Sequence, residues 1–187
     1  DDIASAGPED AAKRRGVAGL VLLYKIAGAA ADRGDDLDAV AAATRDAAAH
    51  TRSIGMATSA CIVPGSAGPS FELAKGEMEL GMGIHGEPGI WRDTLRSADD
   101  LADEMIGRLL DDPVPSPTKR VALMLNSLGA TPLEELLILY RRAAAKLKEQ
   151  GIEVVLPAVG HFATSMEMGG LSMSMMYLDD MREALLR

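Results

Sequence analysis

His85 combines a reactive side chain with an unusual setting, inside Glu79-Leu-Gly-Met-Gly-Ile-His-Gly-Glu-Pro-Gly89. An imidazole titrates near ~6.5, so at neutral pH most of it carries a free, nucleophilic lone pair. Read as a strand, the segment alternates with period two. Met78, Leu80, Met82 and Ile84 point to one face, and Glu79, Gly81, Gly83 and His85 to the other. Glycine inside a strand marks a bulge or a place where a ligand or another backbone comes close. The second face is therefore bare until His85, and the Gly-His-Gly-Glu-Pro-Gly turn that follows cannot continue the strand. This pattern fits a histidine held over a small open pocket. It also fits a partly exposed, hydrogen-bonding histidine at a strand end. Glu77, Glu79 and Glu87 surround it. Glu79 shares its face but lies about 20 Å away along an ideal strand. Glu87 reaches the turn, either to orient the ring or to cap the backbone.

The other reactive residue types have weaker settings. Cys61 sits in the apolar run Ala60-Cys-Ile-Val63 with no histidine near it in sequence, and reads as an inert core thiol before a nucleophile. His50, His85 and His161 are far apart, so no metal site is expected. Gly81-x-Gly83-x-x-Gly86 has the spacing of a dinucleotide fingerprint but runs into Pro88 instead of opening a helix. Ser70 lacks a nucleophile elbow. The loop 126–131, Asn-Ser-Leu-Gly-Ala-Thr, lies between a strand and a helix, where open α/β sheets gather ligands. A plain connecting turn would look the same.

The elements that must position these groups follow from periodicity and caps. A helix is expected over 9–33 and a second, capped by Asp35 or Asp36, with the Ala-rich surface of 41–49 and a stop at Gly55. A strand over 57–63, a Pro/Gly/Ser loop and the histidine strand come next. Ser97 and Asp100 form a capping box for a helix bearing Leu101, Met105 and Leu109. Residues 111–117 form a stiff connector, too short to divide domains. The apolar run 121–125 suits a strand covered on both faces. Thr131, Pro132 and Glu134 start a helix that Gly151 ends. A strand over 152–156, a short helical stretch to Met168, a strand over 171–178 and a terminal helix complete the chain. Together these predict an α/β fold with a mixed sheet flanked by helices, all 187 residues forming a single domain.

Composition narrows the partners. The net charge of −9, with basic spots only at Lys13-Arg14-Arg15 and Arg141-Arg142, argues against nucleic acid; both spots read as solvated helix faces. Phe71, Phe162, Trp91 and three tyrosines supply no stacking platform. No apolar run approaches ~18 residues, so no membrane span is expected. The first residues lack the basic and apolar parts of a signal peptide. A single cysteine fits a reducing, cytoplasmic compartment. Of the eleven methionines, Met173, Met175 and Met176 fit a core strand better than a cofactor box.

Several segments in order carry a family resemblance: Arg14-Arg-Gly-Val-Ala-Gly19, Lys25-Ile-Ala-Gly-Ala29, Thr51-Arg-Ser-Ile-Gly55, Glu77-Met-Glu79, Gly83-Ile-His-Gly-Glu-Pro-Gly89 and Asn126-Ser-Leu-Gly129. The chain resembles the second half of the substrate-binding subunit of the dihydroxyacetone kinase family, one lobe of a two-lobe ketose-kinase subunit. The resemblance implies that His85 forms a covalent hemiaminal with the ketone carbon of a small ketose, with Gly83 and Gly86 beside the substrate. It also implies a first half that brings the acid–base residues. ATP-Mg or a phosphorylated partner is implied on a separate nucleotide-binding domain or subunit, with no cofactor on this chain. A homodimer is expected as the assembly, since the Ala-rich helix surface of 41–49 suits a close subunit contact. Ser127 replaces an asparagine common in the family, and Tyr24 a frequent histidine. Both are candidate determinants of a four-carbon ketose preference.

Overall fold

The computed structural model describes residues 1–84, 87 and 89–187. Six strands form one mixed sheet: β1 (Thr51–Ser59), β2 (Glu77–Leu80), β3 (Trp91–Thr94), β4 (Arg120–Ser127), β5 (Glu153–Gly160) and β6 (Gly169–Tyr177). Their order is β3-β2-β1-β6-β4-β5; β4 and β5 pair in parallel and the other neighbouring strands antiparallel. The parallel pair needs a crossover, which α4 (Leu133–Glu149) supplies. The remaining helices are α1 (Leu20–Asp32), α2 (Leu37–Ala49), α3 (Ala98–Asp111) and α5 (Asp180–Leu186).

The sheet is buried between two helical layers. Ile54, Met78, Leu80, Leu123, Leu125 and Met173 pack with α3 and α4 through Leu101, Met105, Leu136 and Leu147. Ala122, Met124 and Met176 pack against α1, α2 and α5 through Leu22, Ile26, Ala30, Ala47 and Leu185. Alternate residues of β4 thus enter opposite cores, which is why its apolar run has no polar interruption. Met173, Met175 and Met176 are fully buried, as a core role requires.

Tertiary contacts moved several expected boundaries. The helix expected over 9–33 divides into a 3-10 turn at Pro8–Lys13 and α1, because Arg14 and Arg15 are drawn into ion pairs. The strand expected over 57–63 is β1, which begins at Thr51 and pairs with β6 from Thr51↔Met176 to Ser59↔Gly169. Gly55 is a strand residue, not a helix stop. Asp36 and Ser97 cap α2 and α3 as anticipated, accepting from the Ala39 and Asp100 amides. At α4 the expected box does not form. Thr131 Oγ1 accepts instead from the Gly170 amide at 2.8 Å. The short helical stretch expected before Met168 does not form: residues 161–168 between β5 and β6 contain turns and no helix. The edge strand β5 runs on through Pro157, which an edge tolerates.

Candidate functional site

The strand expected to carry His85 ends at Leu80. Gly81 adopts φ +84°, a conformation that side-chain-bearing residues rarely adopt. The period-two reading fails from there. Met78 and Leu80 enter the α3–α4 core, while Met82 packs in a separate cluster with Ala57, Cys61, Leu128 and Met168. The glycines still mark close approaches, but to protein. A Cβ on Gly55 would lie 2.2 Å from the Met82 carbonyl oxygen, and one on Gly81 2.6 Å from Ile90 Cγ1.

Both feet of the turn are pinned. The Ile90 amide donates to the Leu80 carbonyl oxygen at 2.7 Å, and the Gly81 amide to that of Gly55 at 2.7 Å. The buried Glu79 carboxylate accepts from the Gly89 amide at 2.6 Å and from Arg92 Nε at 2.8 Å. On the entering side, Arg15 Nη2 donates to the Gly81 carbonyl oxygen at 2.8 Å, and Arg15 Nε to Asp2 Oδ2 at 2.5 Å. Asp2 is fully buried and also accepts from the Ala4 amide at 3.0 Å. Burial pushes its carboxyl pKa up, opposed by the charge and hydrogen bond of Arg15. Inside the turn, the Gly83 amide donates to the Glu87 carbonyl oxygen at 3.4 Å. An added Cβ on the buried Gly83 would lie 2.2 Å from Glu87 Oε2 and 2.9 Å from Arg15 Cζ. His85 and Gly86, assigned to the ketose from sequence, lie outside the described residues, as does Pro88.

The remaining candidates resolve as structure. In the loop after β4, the amides of Leu128, Gly129 and Ala130 donate to Gly170 O, Ser127 Oγ and Met168 O. They are committed within the protein and form no phosphate cradle, so this loop is a connecting turn. Asn126 is buried. Its Oδ1 accepts from the Phe162 and Ala163 amides, and its Nδ2 donates to Ala163 O and Ser172 Oγ. Ser127, proposed to tune the ketose, is buried and donates to Thr131 O at 2.8 Å; Tyr24 lies exposed on α1. Cys61 is buried beside Ser70 Oγ and Ser165 Oγ. Glu77 Oε2 accepts from the Ala74 amide at 2.9 Å. Among the described residues, no group of three or more His, Cys, Asp and Glu could hold a metal ion.

The basic spot at Lys13-Arg14-Arg15 is not a solvated helix face. The Arg14 side chain is 3% exposed and forks onto Asp112, which also accepts from Arg52. Sequence reasoning missed Arg15, Asp2 and Arg92 as supports of the histidine turn. The available signal was their type alone: a charge needs a partner once buried, as Asp2 is, while the Arg92 side chain is half exposed.

Comparison with known proteins agrees with this architecture. The family model described as the Dak1 domain matches residues 1–187. The chain is 44% identical over 189 residues to the L-erythrulose 1-kinase of Mycolicibacterium smegmatis, covering 99% of this chain and 33% of that protein. It is also 44% identical over 180 residues to the dihydroxyacetone-binding subunit DhaK of PTS-dependent dihydroxyacetone kinase 2 of Listeria innocua, covering 96% of this chain and 54% of the subunit. The dihydroxyacetone kinase operon co-activator DhaQ superimposes with a TM-score of 0.85 at 28% identity, over 99% of this chain and 57% of that one. The chain thus spans about a third to a little over half of the length of these relatives. With a family model matched end to end, this chain belongs to the Dak1 domain family.

Proposed function

We propose that this chain is the ketose-capturing part of a kinase for short ketoses such as dihydroxyacetone or erythrulose. The observation that carries the reading is the sequence Gly-Ile-His-Gly-Glu-Pro-Gly, with Gly81 before it and Gly89 at its end hydrogen-bonded to the sheet, in a chain 44% identical to an L-erythrulose 1-kinase. The free ring nitrogen of His85 adds to the ketone carbon. A C–N bond forms, the carbonyl π pair moves onto oxygen, and the proton lost from the other ring nitrogen ends on that oxygen. The resulting hemiaminal fixes the hydroxyls for phosphoryl transfer to a primary one. Glycerol, with no carbonyl, is not captured. Gly83 and Gly86 lie beside the ketose in this reading.

The phosphoryl donor, ATP-Mg or a phosphorylated protein, belongs to a separate domain or subunit. The acid–base residues belong to the part of the family protein that resembles none of this chain. With ATP and dihydroxyacetone the chain alone is then inactive, and turnover would overturn that assignment. A homodimer and a cytoplasmic location belong to the same proposal. The single buried thiol of Cys61 supports a reducing compartment.

The test is carbon NMR of dihydroxyacetone labelled at C2, with this protein and with His85→Ala. A protein-bound tetrahedral carbon seen only with His85 supports capture. The same spectrum from both proteins overturns it for this chain. A second reading, a ketose-binding co-activator, is favoured by the superposition on DhaQ. It predicts capture without phosphorylation when the nucleotide-binding partner is supplied.

A further inference from the structure

We infer that Arg15 is a positioning residue for His85, acting through the backbone that enters the histidine turn; the inference rests on the ketose-capture reading above. Arg15 lies 70 positions before His85 in sequence, yet its guanidinium joins three pieces of the turn's surroundings. Nε is tied to the buried Asp2 carboxylate, and Nη2 to the carbonyl oxygen of Gly81. Its central carbon stands against Gly83, on the same side as the Glu87 carboxylate. Gly81 and Gly83, four and two positions before His85 in sequence, therefore both lie against one planar cation.

The chemistry suits arginine and not lysine. A guanidinium presents donors in a rigid fork, so one group addresses a carboxylate and a carbonyl oxygen in fixed relative directions. An ammonium has three donors on one nitrogen at the end of a flexible stem, so it does not fix those two directions relative to each other. At Gly81, where a φ of +84° turns the chain out of β2, the amide is held by Gly55 O and the carbonyl oxygen by Arg15, so Arg15 fixes the side of that peptide unit facing the turn. The opposite foot has its own support in Glu79 and Arg92. The brace is also selective. Neighbouring Arg14 turns away to Ala6 O and Asp112, and makes none of these contacts. Removing Arg14 therefore disturbs the fold without touching the turn, which makes it the natural control.

The experiment compares Arg15→Gln, Arg15→Lys, Arg14→Gln and His85→Ala with the parent chain. One readout is capture of C2-labelled dihydroxyacetone. The other, independent of ketose, is the rate at which diethyl pyrocarbonate modifies His85, followed by mass spectrometry. Arg15→Gln is expected to weaken capture by about tenfold or more, since a misplacement of ~1 Å can cost a hundredfold. It should also change the His85 modification rate, with Arg15→Lys failing to restore either. Arg14→Gln should leave both unchanged while lowering thermal stability. If the parent chain captures no ketose, the capture reading fails, and the modification rates still decide the brace. Unchanged His85 reactivity in Arg15→Gln, or full restoration by lysine, overturns it. If Arg15→Gln does not fold, Arg15→Lys serves alone, and parent-like reactivity in it overturns the brace.

Discussion

Gly55 and Met82 meet backbone to backbone: a Cβ on Gly55 would stand 2.2 Å from the Met82 carbonyl oxygen. Gly55 is in mid-strand, paired with Ser172 on β6 and accepting from the Gly81 amide. The chain leaving β2 lies directly on it. A central strand of the sheet is thus the floor beneath the residues that lead to His85.

Gly55→Ala tests that floor. The added methyl meets a backbone oxygen that cannot rotate away, so either the strand or the departing chain shifts. The expected loss is about 1–3 kcal/mol, typical of overpacking a close contact. Urea unfolding measures it. Amide NMR should show Gly81 and Met82 moving more than residues of β4. Wild-type stability would mean that the approach is looser than the structure has it.

Asp112 makes a pH-dependent contribution. It is partly buried, and burial alone would raise its pKa, but hydrogen bonds from Arg14 and Arg52 outweigh that and hold it below the ordinary 3.8. A depressed carboxyl stabilises the fold at pH values above its unfolded pKa. That contribution is lost as pH falls through the lower folded value. Stability should therefore decline below about pH 4, and the decline should be shallower in Asp112→Asn. The variant also leaves two buried guanidinium groups short of their counter-charge, costing ~3 kcal/mol at neutral pH. Unfolding free energies from pH 2 to 7 check both; an unchanged acid slope would remove Asp112 from the account.

Cys61 should behave as a core thiol. Its sulfur is buried with Ala57, Met82, Leu128 and Met168. A thiol reagent should react with it slowly in the folded protein and fully in denaturant. Cys61→Ser should keep ketose capture. Rapid folded-state reaction would reopen the case for a functional thiol.

Local pattern alone carried much of this protein. The caps at Asp36 and Ser97, the doubly buried β4 run and the methionines of β6 are short-range or compositional signals, and each lies where its chemistry predicts. Those signals also yielded the mixed α/β sheet, and the histidine motif pointed to the family. Sequence could not show that β2 stops at Leu80, because Met82 suits either side of the sheet and only the cluster around Cys61 decides which it joins. Nor could it show that Arg14 and Arg15, adjacent and alike, brace different parts of the molecule. One meets Asp112, 98 residues away, and the other meets Asp2 and Gly81. Periodicity reports the face a residue prefers over a few neighbours. Which buried charge finds which partner is settled only when distant segments pack, since burial makes an unpaired charge costly.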